Sequence, residues 1–256
     1  MKQELTVHLD QYIGTVEIHR PPNNFFDHDL IKSLADIYMQ FDADPGCRAV
    51  VLCSEGKHFC AGANLESGQP GSAFQREHIK ALYDNALRLF RTTKPVVAAI
   101  QGGAIGGGLG LALSADFRVT CKEARFCANF ARLGFHQGFA LSVTLPRLIG
   151  QANAELMLLT GRRIDGKEAV RIGLADDLVP NHDTKERARR LAAEIAQAAP
   201  LAVQSIRRTL RHNLADEVAT VLAHELDEQM RLSQTQDFCE GVSAMSERRN
   251  PKFKGE

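Results

Sequence analysis

Apolar positions along the chain change their spacing as the sequence proceeds. Two β-rich runs, 5–9 (LTVHL) and 15–18 (TVEI), lie on either side of residues 10–14 and predict a hairpin. From residue 30 the spacing becomes helical: Leu30, Ile31, Leu34, Ile37, Tyr38 and Phe41 share one face, and Asp29 is placed to cap the first turn. Asp44-Pro45-Gly46 ends that helix. Residues 49–53 and 95–100 are apolar without alternation, the pattern of strands covered on both faces. Between them a small-residue-rich stretch, 55–71, predicts a long loop, and residues 74–90 a helix. A short apolar helix at 109–114 is followed by short strands at 117–120 and 125–127. From residue 143 onward the spacing is helical: 143–149, 153–160, a turn at 167–171, then 185–198, 202–210 and 216–233.

Strands separated by helical stretches argue an α/β fold. The expected organisation is an α/β core over residues 1–190 and a helical C-terminal region over 191–256, without internal repeats or a low-complexity linker. Helices with apolar faces and little core of their own need something to pack on, which predicts an oligomer.

Composition narrows the classes. Hydrophobic residues make up 44% and charged residues 24%, so disordered and fibrous readings fall away. Thirty-one Lys and Arg cancel thirty-one Asp and Glu, which argues against a nucleic-acid or anionic-membrane binder. No apolar run is long enough to span a bilayer, and residues 1–5 lack the apolar block of a secretory signal, so a soluble, cytoplasmic protein is expected. The six cysteines contain no Cys-x-x-Cys pair, and neither a disulfide framework nor a metal site is expected.

Two glycine-rich stretches carry the candidate chemistry. His58-Phe59-Cys60-Ala61-Gly62-Ala63-Asn64 follows one buried strand, and Gly106-Gly107-Gly108 opens a helix after the next. Residues without side chains let backbone N–H groups approach a ligand, and a helix N-terminus presents unsatisfied donors and partial positive charge. Two such turns could aim a pair of N–H groups at one oxygen, an oxyanion hole. A phosphate-binding loop would need a Lys-Ser/Thr after the glycines, which is lacking, and no Gly-x-Gly-x-x-Gly turn with a ribose-binding acid is found. Tight helix–strand packing is the structural alternative.

The segments Phe59-Cys60-Ala61-Gly62-Ala63-Asn64-Leu65, Lys94-Pro95-Val96-Val97-Ala98-Ala99-Ile100 and Gly106-Gly107-Gly108 resemble the crotonase (enoyl-CoA hydratase/isomerase) superfamily. Leu145-Pro146-Arg147-Leu148-Ile149-Gly150, Leu159-Thr160-Gly161-Arg162 and residues 247–255 (ERRNPKFKG) extend the likeness from the Arg20-Pro21-Pro22 turn to the end of the chain. The resemblance implies a crotonase-like ββα-repeat core, a C-terminal helical trimerisation region, a homotrimer or dimer of trimers, and acyl-CoA thioester substrates. No separate cofactor is implied, coenzyme A being part of the substrate. Carried over by position, the oxyanion donors are the N–H groups of Ala63 and Gly107, and the Ala61–Ala63 backbone lines the adenine and pantetheine path. Arg20 and, from a neighbouring subunit, Lys254 are weaker candidates for the CoA phosphates.

The chain also departs from that family. In the hydratases one glutamate lies two residues after Gly-Gly-Gly and another in a Pro-Glu before Leu-Gly. Gly110 and Phe130 stand at those positions here, and neither side chain transfers a proton. The related chlorobenzoyl-CoA dehalogenases share the Gly-Gly-Gly-Leu-Gly pattern, but their aspartate and histidine would fall at Gly138 and near Tyr83.

His136, in Gly134-Phe135-His136-Gln137-Gly138, is the foremost replacement for the lost acids, because imidazole titrates near neutrality. Tyr83 is a candidate for hydrogen-bonding a substrate or water. Glu66, His78, His58 and Arg132 are further candidates, and Phe130, Phe135 and Phe139 would form an apolar pocket that suits aromatic groups. The reading is an enzyme that handles an acyl-CoA through an oxyanion-stabilised enolate, by isomerisation, hydration by a non-glutamate route or C–C cleavage. The alternative is a non-catalytic acyl-CoA-binding homologue. Glutamates restored at Gly110 and Phe130 would test whether only the acids have been lost.

Overall fold

The computed structural model describes residues 4–63 and 75–256. A hairpin of β1 (Leu5–Asp10) and β2 (Ile13–Ile18) begins a six-stranded sheet continued by β3 (Ala49–Ser54), β4 (Val96–Ile100), β6 (Phe117–Thr120) and β9 (Asp177–Leu178), in the order β1-β2-β3-β4-β6-β9. All pairings after the hairpin are parallel, and every residue of β3 and β4 is buried, as their unbroken apolar runs require. A second, smaller sheet holds β5 (Gly103–Ile105), β7 (Arg125–Cys127) and β8 (Arg163–Asp165). The chain steps from a strand of the large sheet to one of the small sheet and then into a helical segment: β4, β5 and α3 (Gly107–Ser114), then β6, β7 and a 3-10 turn (Asn129–Leu133). This ββα step gives the α/β fold that the element pattern predicts.

Helix α1 (His28–Ala43) is capped by Asp27, whose carboxylate accepts from the Leu30 N–H, and not by Asp29, which lies inside the first turn. Helix α2 (Arg76–Arg91) packs across α1. The two helices expected at 143–149 and 153–160 form α4 (Leu141–Thr160), interrupted where Gly150 leaves helical geometry (φ 76°, ψ 160°). Helix α5 (Gly166–Arg171) precedes α6 (Thr184–Gln197), which lays Ala188, Ala192 and Ala196 against Val51, Val97 and Val119 of the large sheet. The expected boundary at residue 190 therefore falls inside a helix that covers the core.

Helix α7 (Pro200–Leu210) has no buried residue; Leu201, Ile206 and Leu210 are 79, 59 and 72% exposed in the single chain. Arg207 and Arg211, at the end of α7 and just after it, tie this segment to the largely buried Asp116. Helix α8 (Leu214–Leu232) crosses α2 and α4. Helix α9 (Gln236–Ser246), which the spacing did not predict, packs on the 3-10 turn at Gly241, where a side chain would strike the Leu133 backbone. Among the described residues no helix is long and apolar enough to cross a membrane, and no three His, Cys, Asp or Glu side chains converge as a metal site would require.

Candidate active site

The small sheet sets the relation between the two glycine turns. Cys60 bridges Ala104 in parallel register: the Cys60 N–H donates to the Gly103 carbonyl at 3.0 Å, and the Ile105 N–H to the Cys60 carbonyl at 3.0 Å. Three residues further along the chain from Cys60 and Ala104 lie Ala63 and Gly107, just past two turns that approach each other closely. Gly62 (φ 92°) and Gly106 (φ 55°, ψ −122°) turn the two chains there, in backbone conformations unsuited to residues with a Cβ. Space imposes the same requirement. A Cβ on Gly62 would lie 2.9 Å from the Ile105 carbonyl oxygen and 3.6 Å from the Gly107 nitrogen.

Neither the Ala63 nor the Gly107 N–H meets an acceptor among the described residues. In the Phe26–Ala63 bridge the contact is from the Phe26 N–H to the Gly62 carbonyl, at 3.0 Å, which leaves the Ala63 N–H outside the ladder. Gly107 is the first residue of α3, so its N–H has no helical acceptor and carries the positive end of the helix dipole. Both residues line one cavity of about 290 Å³. Ala61 lines it too, but its N–H is spent on the Asn23 carbonyl at 2.9 Å.

The facing wall is aromatic. The rings of Phe26 and Phe139 meet tilted, with centroids 5.4 Å apart, as do those of Phe130 and Phe135 at 5.5 Å. Phe26 lies so close over Gly107 that a Cβ there would be 2.5 Å from its ring. Phe139 fills the space beside Gly110, where a Cβ would come within 2.6 Å of the Phe139 Cβ and 2.8 Å of its carbonyl oxygen. A side chain at residue 110 thus has no room unless Phe139 shifts, and a glutamate restored there would disrupt this wall before testing catalysis.

Phe139 (φ 58°) and Ala140 (φ 62°) are consecutive left-handed residues with side chains, a costly conformation that the surroundings must impose. Two side chains one turn apart on α8 impose it. Buried Glu225 accepts from the Ala140 N–H at 2.8 Å, the Ser142 N–H at 3.0 Å and the Ser142 hydroxyl at 2.6 Å. Gln229 accepts from the Tyr83 hydroxyl at 2.8 Å and donates to the His136 carbonyl at 3.0 Å. A side chain on Gly138 would collide with the Tyr83 hydroxyl. Burial pushes the Glu225 carboxyl up to about 7, against the opposing hydrogen bonds from Ser142 and Ala140. Burial, with Glu225 nearby, also raises the Tyr83 phenol far above its ordinary range, so it stays protonated and donates.

The expected site residues fall into two groups. Ala61, Ala63, Gly107, Tyr83 and Phe130 line the cavity, as does His78 at its edge. His136 is not among the lining residues. Its Nδ1 lies 2.8 Å from the Gln137 carbonyl and its ring packs edge-on against His224 at 5.6 Å. The backbone turn that brings Gly138 and Phe139 to the cavity carries the His136 side chain outside its wall.

Arg20 also stays off the cavity, donating to Asp27 at 2.8 Å and Glu4 at 2.5 Å. Burial pushes the Asp27 carboxyl up, but hydrogen bonds from Arg20 and the Leu30 N–H outweigh it and hold the group below the usual carboxylate range. Lys254 belongs to a tail pinned on Asp237, its N–H donating at 2.7 Å, and does not line the cavity of its own chain. His58 accepts from the Gly103 N–H at 2.9 Å, and neither it nor Arg132 lines the cavity. Glu66 lies outside the described residues. Sequence reasoning missed Phe26, His28, Asn129 and Gln229, all of which line the cavity. Asn129 was within reach as the neighbour of Phe130, whereas Gln229 looks like any polar helix position.

The model of one protein family, enoyl-CoA hydratase/isomerase, matches residues 9–256. A probable enoyl-CoA hydratase of Bacillus subtilis is 31% identical over 258 residues, covering 98% of this chain and 99% of that protein. The (E)-benzylidenesuccinyl-CoA hydratase of Thauera aromatica is 34% identical over 259 residues, with 98 and 99% covered. The crystal structure of an enoyl-CoA hydratase/isomerase from Pseudoalteromonas atlantica superposes with a TM-score of 0.87 at 30% identity, over 98% of this chain and all of that one.

Proposed function

Because the chain belongs to the enoyl-CoA hydratase/isomerase family, we propose that its cavity holds the acyl end of an acyl-CoA thioester and that the Ala63 and Gly107 N–H groups bind the thioester oxygen. The observation that carries this reading is the shared register of the two turns, which leaves two unclaimed amides side by side over one apolar cavity. When a proton leaves the α-carbon, negative charge moves onto that oxygen. Two fixed donors and a helix N-terminus stabilise the enolate without reorganising, and one such donor is worth about 3 kcal/mol of barrier. Coenzyme A enters as part of the substrate, and no further cofactor takes part.

Among the described residues the cavity wall has no carboxylate free to act as a base. Asp27, the only carboxylate lining the cavity among the described residues, caps α1 and pairs with Arg20. With Gly110 and Phe130 where the hydratases carry glutamates, this reading takes the reaction off the two-glutamate hydration route. The same observation favours a second reading, a homologue that binds acyl-CoA without turning it over. Incubation with butyryl-CoA and phenylacetyl-CoA in D₂O, read by mass spectrometry, separates the two. Deuterium entering the α-carbon supports the enzyme; saturable binding without exchange supports the carrier. The exposed apolar face of α7 is suited to an interface in a homotrimer or dimer of trimers, where Lys254 would approach a neighbour's site. Light scattering tests that assembly.

A further inference from the structure

Among the described residues Glu225 is the only fully buried carboxylate, and no cation pairs with it. A buried charge without a counterion is rare, because desolvation penalises it and hydrogen bonds alone must offset the cost. All three partners of Glu225 donate: the Ala140 N–H, the Ser142 N–H and the Ser142 hydroxyl. Only an ionised carboxylate accepts all three without conflict. On protonation the new O–H needs an acceptor, and among those partners only the Ser142 oxygen can serve. That oxygen already accepts from the Gln137 side chain at 3.0 Å, and the Ser142 hydrogen would lose its own acceptor. The anion thus ties the turn at three points and the neutral acid at fewer. What it ties is Phe139, whose ring meets Phe26 and fills the space beside Gly107 and Gly110.

The other charged and titratable groups around Glu225 are engaged elsewhere. On α2, Arg76 pairs with Asp227 and the Tyr83 hydroxyl donates to Gln229. On α4, Arg147 pairs with Glu217. On α8 itself Glu228 pairs with Arg231, and His224 packs against His136 from the turn. Helix α3 carries no titratable side chain.

We infer that Glu225 is a positioning residue that ties the acyl-binding wall in its ionised form, so that binding of an acyl-CoA drives a proton off the protein. This rests on the reading of the cavity as a thioester site. An acyl group packed on Phe139 favours the state in which that ring is held, and linkage then populates this state at the expense of the other. Burial and hydrogen bonding oppose each other here and leave the carboxyl at about 7, so both states are present near neutral pH. The proton passes to solvent and no bond to the substrate forms.

Isothermal titration of the full chain with butyryl-CoA, in buffers of different ionisation enthalpy, counts the protons released per ester bound. A tenfold preference for the ionised wall lowers the carboxyl's bound-state pKa by about one unit, which releases about half a proton per ester at about pH 6.5. Glu225→Gln should release fewer protons by that amount, and the difference isolates Glu225 from His28 and His78, which also line the cavity. The Glu225 carboxyl carbon, followed by NMR in the wild type, should titrate about one unit lower with ester bound, and this needs no variant. Equal proton release from wild type and Glu225→Gln, or a Glu225 titration that the ester does not move, overturns the inference while leaving the thioester reading in place. If no ester binds, that reading itself falls and the inference with it.

Discussion

The two walls of the cavity are held by different means. On one side Ala63 and Gly107 owe their positions to main-chain pairing, Cys60 with Ala104, and to glycines that allow the turns. On the other side Phe139 and Ala140 adopt a conformation that their own backbone resists, and α8 holds them there through Glu225 and Gln229. The first wall presents unspent donors and the second presents rings whose supporting polar groups are already satisfied. The contrast suggests a division of labour. On the proposed reading, backbone supplies the electrostatics, which must not move, and side chains shape the space for the acyl group.

This difference can be broken in order of expected effect. Ala63→Pro deletes one of the two proposed oxyanion donors without removing a ladder hydrogen bond, so α-proton exchange should fall about 10²–10³-fold, whereas Ala63→Gly should keep most of the rate. Glu225 sets the pH behaviour of the second wall. Its folded-state pKa of about 7 lies above the ordinary carboxylate value, so the folded chain holds this proton where the unfolded chain has lost it. Glu225 therefore contributes stability that is present at low pH and is lost as pH rises from about 4.5 to 7, on the order of 3 kcal/mol. Urea unfolding across that range should show this slope in the wild type and not in Glu225→Gln. A Cβ added at Gly110 meets Phe139 side chain and backbone, and Gly110→Ala should cost about 1–3 kcal/mol in the same assay. The smallest effect is at His136. With its ring outside the cavity, His136→Ala should change exchange by less than about twofold, less than general acid–base catalysis would require. A loss of a hundredfold would put proton transfer back on that residue.

The sequence showed the two walls unequally for the same physical reason. Glycine turns after buried strands are local patterns, and with the family resemblance they pointed to Ala63 and Gly107 from the chain alone. The hairpin and α6 were legible from β-rich runs and helical spacing, and β3 and β4 from unbroken apolar runs of five residues or more. Strands β5, β8 and β9, three or two residues long, are too short to show any alternation. The clasp on Phe139 joins side chains more than eighty residues apart, so nothing near His136 signals that the turn would carry its ring outward. Residue 190 lies within α6, which meets the sheet through alanines that read as weakly apolar in sequence yet allow close packing.

A crystal structure with butyryl-CoA bound tests the central claim most directly. The thioester oxygen should lie within about 2.7–3.1 Å of both the Ala63 and Gly107 nitrogens. An oxygen held by one amide alone, or an acyl chain lying outside the Phe26–Phe139 wall, would contradict it.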